Sequence, residues 1–264
     1  MTDPVWIYAA LCLASFAAGA MNSVAGGGTL LTFPTLLEVL KPFGELGGAM
    51  ANATSTVALL PGSMAGAWGF RRELAAARSF ALTMLAPSLV GGALGAWLLV
   101  AYPGHFGPLV PWLVLTAATL FLIQQPLAKV IKKTQTDPPP KPGPARLVGL
   151  IAFQFLVAVY GGYFGAGIGI LMLTALGFMG VGGIHRMNAV KTFLASAINL
   201  VSVAQFVSVP GMVVWKYALP MIASAITGGY VGARVARKLP SEYLRWAVVL
   251  IGFGLAVYCF VTRY

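Results

Sequence analysis

The chain has 264 residues, 59% of them apolar and 9% charged, against about 25% charged in an ordinary soluble domain, which argues against a water-soluble fold. Its net charge of +11 would suit nucleic acid, but the basic residues lie in short segments between apolar runs, not in one stripe interleaved with aromatics, so nucleic acid is not expected as a partner. Two isolated cysteines, Cys12 and Cys259, give neither a disulfide framework nor a metal spacing, and are read as small apolar residues.

The apolar residues fall in ten runs: 5–24, 29–40, 49–68, 79–101, 109–126, 147–164, 168–184, 189–209, 217–235 and 243–261. A helix needs about 20 mostly apolar residues to cross the hydrocarbon core, and these runs lack the alternation of barrel strands. The predicted class is an all-α integral membrane protein whose first partner is the lipid bilayer. The first run follows Met1-Thr2-Asp3-Pro4, which has no basic n-region, and is read as a membrane helix instead of a cleaved signal. The second, Thr29 to Leu40, is too short to span and contains Pro34. The seventh, from Ile168, is interrupted by glycine.

Between the fifth and sixth runs lies a polar stretch, 129–146, with Pro138-Pro139-Pro140, Pro142 and Pro144. Such a segment cannot continue a helix and reads as a stiff linker between a first repeat, 1–128, and a second, 147–264. The halves resemble each other. Gly26-Gly27-Gly28 matches Gly165-Ala166-Gly167 at an offset of 139 (165 − 26), and Asn52-Ala53 matches Asn188-Ala189 at 136 (188 − 52). Gly91-Gly92 matches Gly228-Gly229 at 137 (228 − 91).

Five runs per unit is an odd number, so the second unit is expected to run inverted. Cytoplasmic loops are enriched in Lys and Arg. Placing the linker inside puts thirteen basic residues, among them Arg71, Arg72, Lys129, Lys141, Arg186 and Arg245, on the cytoplasmic side, against Lys41, Lys216 and Arg263 outside. Both termini are then outside. Inverted repeats with broken helix hairpins are typical of secondary transporters, whose substrate sits near the bilayer midplane.

At these residues the chain resembles the TauE/SafE sulfite-exporter family, over nearly its whole length. The resemblance rests on Ala25-Gly26-Gly27-Gly28 with Pro34 downstream, Phe164-Gly165-Ala166-Gly167-Ile168-Gly169, Asn52-Ala53-Thr54-Ser55-Thr56, and a Gly-Gly-x-x-Gly-Ala helix in each half. Ala166, where the second tip often has glycine, and the lack of a proline matching Pro34 make the half-sites unequal. The resemblance implies a transporter of sulfite or an organosulfonate such as sulfoacetate in the bacterial inner membrane, moving the anion outward by alternating access. An anion channel, an ion-coupled sulfonate importer and a non-transporting membrane partner are the competing readings.

Backbone N–H groups at a helix N-terminus are fixed donors for an anion, and glycine lets them approach it. Gly26, Gly27, Gly28, Gly165, Ala166 and Gly167 are therefore candidate cradles, with close helix packing as the other reading. Gly91-Gly92 and Gly228-Gly229 are left as packing. Asn22 and Ser23 precede the first tip and offer side-chain donors. Asn52, Ser55 and Asn188 open helices and serve either interhelical hydrogen bonds or substrate. Lys191 is the basic side chain that falls inside an apolar run with no evident carboxylate to pair with it. It either binds the anion, with Ser55 as its repeat mate, or snorkels toward water near Arg186. No metal site, nucleophile triad or phosphate loop appears, so neither a cofactor nor catalysis is expected.

Overall fold

The computed structural model of the chain describes residues 3–24, 27–134, 143–179, 184–235 and 241–262. Every regular element among them is helical: α1 (Val5–Val24), α2 (Thr29–Leu40), α3 (Glu45–Gly69), α4 (Arg71–Ala76), α5 (Arg78–Ala101), α6 (Phe106–Thr134), α7 (Pro144–Tyr163), α8 (Ile168–Met179), α9 (Ile184–Ser208), α10 (Trp215–Val235) and α11 (Ser241–Val261). Short 3-10 turns at Lys41–Phe43 and Pro103–His105 connect α2 to α3 and α5 to α6. Five segments are long and apolar enough to cross a membrane: Val5–Asn22, Arg78–Ala101, Pro103–Ile123, Pro144–Tyr163 and His185–Ser208. The outward faces carry large apolar side chains where a soluble protein would carry charge; Leu13, Leu156, Leu219 and Leu250 are all more than 60% exposed. The chain is a multi-pass, all-α membrane protein.

α2 and α8 each have 12 residues, about 18 Å of helix against a hydrocarbon core of about 30 Å, so neither crosses alone. α3 is long enough at 25 residues but carries Asn52, Thr54, Ser55, Thr56 and Ser63 along its length. Three elements differ from the sequence reading. α4 occupies the polar segment after Phe70. α6 continues through Thr134, so Lys129, Lys132 and Lys133 are helical. α9 begins at Ile184, which moves Asn188 and Lys191 into its second turn.

The two halves share their element bounds closely. α1 and α7, α2 and α8, and α3 and α9 begin and end at one constant offset of 139 residues (144 − 5, 168 − 29, 184 − 45). Packing follows the same exchange. α1 lies on α10 as α7 lies on α5; α2 touches α11 as α8 touches α6; α3 crosses α9, and α6 pairs with α11. These crossings are close. A Cβ on Gly228 would come 2.0 Å from the Phe16 carbonyl oxygen, and one on Gly95 would come 2.1 Å from that of Val159. Only glycine admits a backbone so near, so these clusters are packing glycines, as read from the sequence.

Candidate functional site

The first tip, between α1 and α2, turns at Gly27, whose φ of +90° is a conformation that L side chains rarely adopt. The donors of this tip are largely engaged within the chain. The Gly28 N–H donates to Asn22 Oδ1 at 2.8 Å, that of Leu30 to the Gly27 carbonyl at 3.1 Å and that of Leu31 to the Gly28 carbonyl at 2.9 Å. The second tip turns twice, at Gly165 (φ +83°) and Gly167 (φ +79°), on either side of the buried Ala166. Ala166 holds the tip in place by accepting the Tyr160 hydroxyl at 2.8 Å. At the start of α8 the Ile170 N–H donates to the Gly167 carbonyl at 3.0 Å, while those of Ile168 and Gly169 have no acceptor among the described residues.

Both tips reach a cavity of about 570 Å³ that runs from them toward Phe70, between α1, α3, α8, α9 and α10. Lys191 lines it, half-buried on α9. Its stem passes over the first turn of α8, so that a Cβ on Gly169 would lie 3.2 Å from Lys191 Cδ. No carboxylate among the described residues comes within ion-pair distance of Lys191; the two pairs found there are Lys41 with Glu38 and Lys216 with Asp3. An ammonium and the positive end of a helix thus face one space.

Beyond the residues that line the cavity, packed aromatic rings flank the tips. Phe33 of α2, Phe106 of α6 and Phe164 of the second tip are each at most 1% exposed, with ring centroids 5.3 Å apart for Phe33 and Phe164 and 6.0 Å for Phe106 and Phe164. Tyr163 joins them, 5.4 Å from Phe106. Phe33 meets Phe106 and Phe164 edge to face, while Phe106 is tilted against Phe164 and Tyr163, an arrangement as dense as a protein core.

The structure divides the residues singled out from the sequence. Asn22, Gly27, Gly165, Gly167 and Lys191 line the cavity. Gly28, Asn52, Ser55, Ala166 and Asn188 do not. Gly26 and the side chain of Ser23 lie outside the described residues. Asn52 is buried and donates from Nδ2 to the Tyr163 carbonyl at 3.0 Å, tying α3 to the second tip, while its Oδ1 has no partner among the described residues. Ser55 shares a hydrogen bond of 2.6 Å with Thr32, and the Asn188 carbonyl accepts the Thr192 hydroxyl at 2.8 Å. At the offset of 139 the position matching Lys191 is Asn52 (191 − 52), not Ser55, and Asn188 matches Ala49 (188 − 49).

Other polar groups around the cavity did not emerge from the sequence as site residues: Thr29, Thr56, Ser63, Thr192, Asn199 and Tyr230. Asn199 was findable, since it stands two turns beyond Lys191 on the same face of α9. Ser63 was not, because its position depends on where α3 crosses α9; its carbonyl accepts the Ser196 hydroxyl there at 3.0 Å.

Comparison with known proteins bears on what this cavity serves. The family model described as sulfite exporter TauE/SafE matches residues 11–259. A protein of Haemophilus influenzae named a probable membrane transporter protein is 28% identical over 252 residues, covering 94% of this chain and 92% of its own length. A Sinorhizobium protein, also named a probable membrane transporter protein, is 27% identical over 255 residues, covering 95% and 91%. One from Escherichia coli K12 is 26% identical over 259 residues, covering 95% and 88%. No solved structure matches the chain.

Proposed function

The chain belongs to the sulfite exporter TauE/SafE family, and from that premise we propose that it is a secondary transporter of a small sulfur-containing anion, sulfite or an organosulfonate such as sulfoacetate. The observation that carries this reading is Lys191 lying over the open first turn of α8 in a cavity shared by both halves, with no carboxylate beside it among the described residues. An oxyanion entering the cavity exchanges its water for the Lys191 ammonium and for the N–H groups of Ile168 and Gly169. The side-chain amides of Asn22 and Asn199 add neutral donors around it.

The transport cycle is alternating access. The cavity extends to Phe70, next to Arg71 at the end that the distribution of Lys and Arg assigns to the cytoplasm, and the buried Phe33, Phe106 and Phe164 rings lie outside its lining, where this reading puts the closed side. The exchange of packing partners between halves supports a pseudo-two-fold axis in the membrane plane, with both termini and the Pro103–His105 turn outside. On this symmetry the outward-open state is reached when the crossings of α1 on α10 and α7 on α5 exchange geometries. In the bacterial inner membrane an interior-negative potential contributes about 2.3 kcal/mol per charge per 100 mV to moving an anion out. Export therefore needs no coupled ion.

Counterflow in proteoliposomes tests the proposal. Labelled sulfite or sulfoacetate outside is expected to accumulate transiently against an internal load of the same unlabelled anion. A channel would equilibrate the label without accumulation. Failure of every sulfur anion in the panel to be taken up saturably would remove the substrate class.

A further inference from the structure

We propose that the protein is an anion exchanger: the transported anion is the counterion of Lys191, so the loaded site reorients across the membrane much faster than the empty one. The inference rests on Lys191 as an anion-binding residue and goes beyond it, since binding alone does not say what the empty carrier does.

The chain has six carboxylate side chains. The side chains of four are described, and none of them lines the cavity. Asp3 is held by Lys216 at 2.6 Å and Glu38 by Lys41 at 2.7 Å, both at exposed ends of helices. Glu45 stands at the start of α3 beside Gly104, and Glu73 is on α4. The other two, Asp137 and Glu242, fall in the sequence between α6 and α7 and at the start of α11. The N-terminal end of α8, which the Lys191 stem crosses, adds positive potential to that of the ammonium.

In the open state water enters the cavity and solvates this charge. To change sides the site must pass through a closed state, in which walls such as Leu59, Pro61, Ile168 and Ile226 replace that water. An unpaired ammonium resists such desolvation strongly, whereas an ammonium paired with the hydrogensulfite monoanion enters it as a neutral unit, and one paired with a dianion such as sulfoacetate enters it as an ion pair whose remaining charge falls on the N–H groups at the start of α8. The anion therefore lowers the barrier of the very step that carries it, and the return limb is fast only when another anion occupies the site.

The experiment uses the full-length protein in proteoliposomes loaded with radiolabelled sulfite, or sulfoacetate where sulfite is not carried, with the membrane potential clamped. Efflux is measured into gluconate and into the same anion unlabelled. Exchange is expected to exceed net efflux by about tenfold or more, the signature of a costly uncompensated charge on the empty limb. Lys191→Arg keeps the charge and is expected to keep that ratio, while any residual transport by Lys191→Gln is expected to show a ratio near one. Net efflux as fast as exchange in the wild type overturns the proposal, whether or not protons move with it. So does a ratio lost in Lys191→Arg or retained in Lys191→Gln. If Lys191→Gln binds and carries the anion as well as the wild type does, the anion-binding reading itself has failed. If binding depends on Lys191 but the wild-type ratio is near one, exchange alone has failed.

Discussion

The two tips are built on the same bounds and do different work. In the first, the Gly28 N–H is taken by Asn22 Oδ1 and those of Leu30 and Leu31 by the carbonyls of Gly27 and Gly28, leaving that of Thr29 without an acceptor among the described residues, and the α3 side chain at the matched position, Asn52, reaches across to hold Tyr163. In the second, two α8 donors have no acceptor among the described residues, and the matched position on α9 is Lys191, facing the cavity. Pro34 sits inside α2, while α8 has no proline. A duplicated scaffold needs each copy to pack but needs a charge only once for one anion. On the proposed function, one tip serves as a brace and the other as the binding surface.

The sharpest way to break this comparison is to remove the charge. Lys191→Gln is expected to weaken binding of the transported anion by about 10- to 100-fold, from a charge-assisted hydrogen bond of about 1.5–3 kcal/mol. Lys191→Arg should recover part of that loss, with membrane insertion unchanged in both. Equal affinities for all three forms, measured by titration in detergent, would return the site to the backbone of the tips alone.

Packing glycines should not distinguish the halves. Gly95→Ala and Gly228→Ala each force a Cβ to within 2.1 Å or less of a facing carbonyl oxygen. Overpacking of this kind costs about 1–3 kcal/mol or more, so both variants should lose thermal stability to a similar degree. A large effect from one and none from the other would show that α1 on α10 and α5 on α7 are not equivalent crossings.

The brace gives a smaller effect of another kind. Asn52→Ala removes the hydrogen bond to the Tyr163 carbonyl but also removes an Oδ1 that has no partner among the described residues, and the two changes partly offset. The expected loss is about 1 kcal/mol of stability, with affinity for the anion held within about twofold. A lowered thermal midpoint with unchanged affinity supports the division of labour. Affinity falling as far as in Lys191→Gln would mean that both tips bind.

Much of this organisation was legible in the sequence, and the reasons are physical. A helix shorter than the bilayer is visible as a short apolar run, which is why α2 could be called non-spanning before its bounds were known. The packing role of Gly228 followed from small residues being needed where membrane helices touch. What escaped was register. Matching Asn52 to Asn188 by residue type gives an offset of 136 (188 − 52), which pairs Lys191 with Ser55, while the helix bounds repeat at 139 (184 − 45), which pairs it with Asn52. Residue identity is a poor guide to register where the matched positions differ in kind, as Asn52 and Lys191 do. Asn199 and Ser63 escaped for another reason: which face of α9 or α3 meets water is set by the helix opposite, and no local pattern records it.

The smallest expected effect comes from a lysine that has its counterion. Lys216 donates to Asp3 at 2.6 Å, and the Tyr217 hydroxyl adds a second bond to the same oxygen at 3.1 Å, joining the chain before α1 to the start of α10. The Lys216 hydrogen bond, opposed by partial desolvation, holds the Asp3 carboxyl below its ordinary value. A depressed carboxylate stabilises the fold above its unfolded pKa of about 3.9, and that contribution fades only as pH falls through the lower folded value. Between about pH 5 and 8 the pair should therefore be constant, and Lys216→Met should change neither the affinity for the anion nor the ratio of exchange to net efflux. It should differ from the wild type only in strongly acid medium, where the wild type loses the same contact. If Lys216→Met weakened transport at neutral pH as Lys191→Gln does, attraction by positive charge anywhere on the protein would suffice, and the position of Lys191 over α8 would explain nothing. If it does not, the contrast isolates what matters about Lys191: a charge left unpaired by the described residues, on the wall of a space lined by both halves.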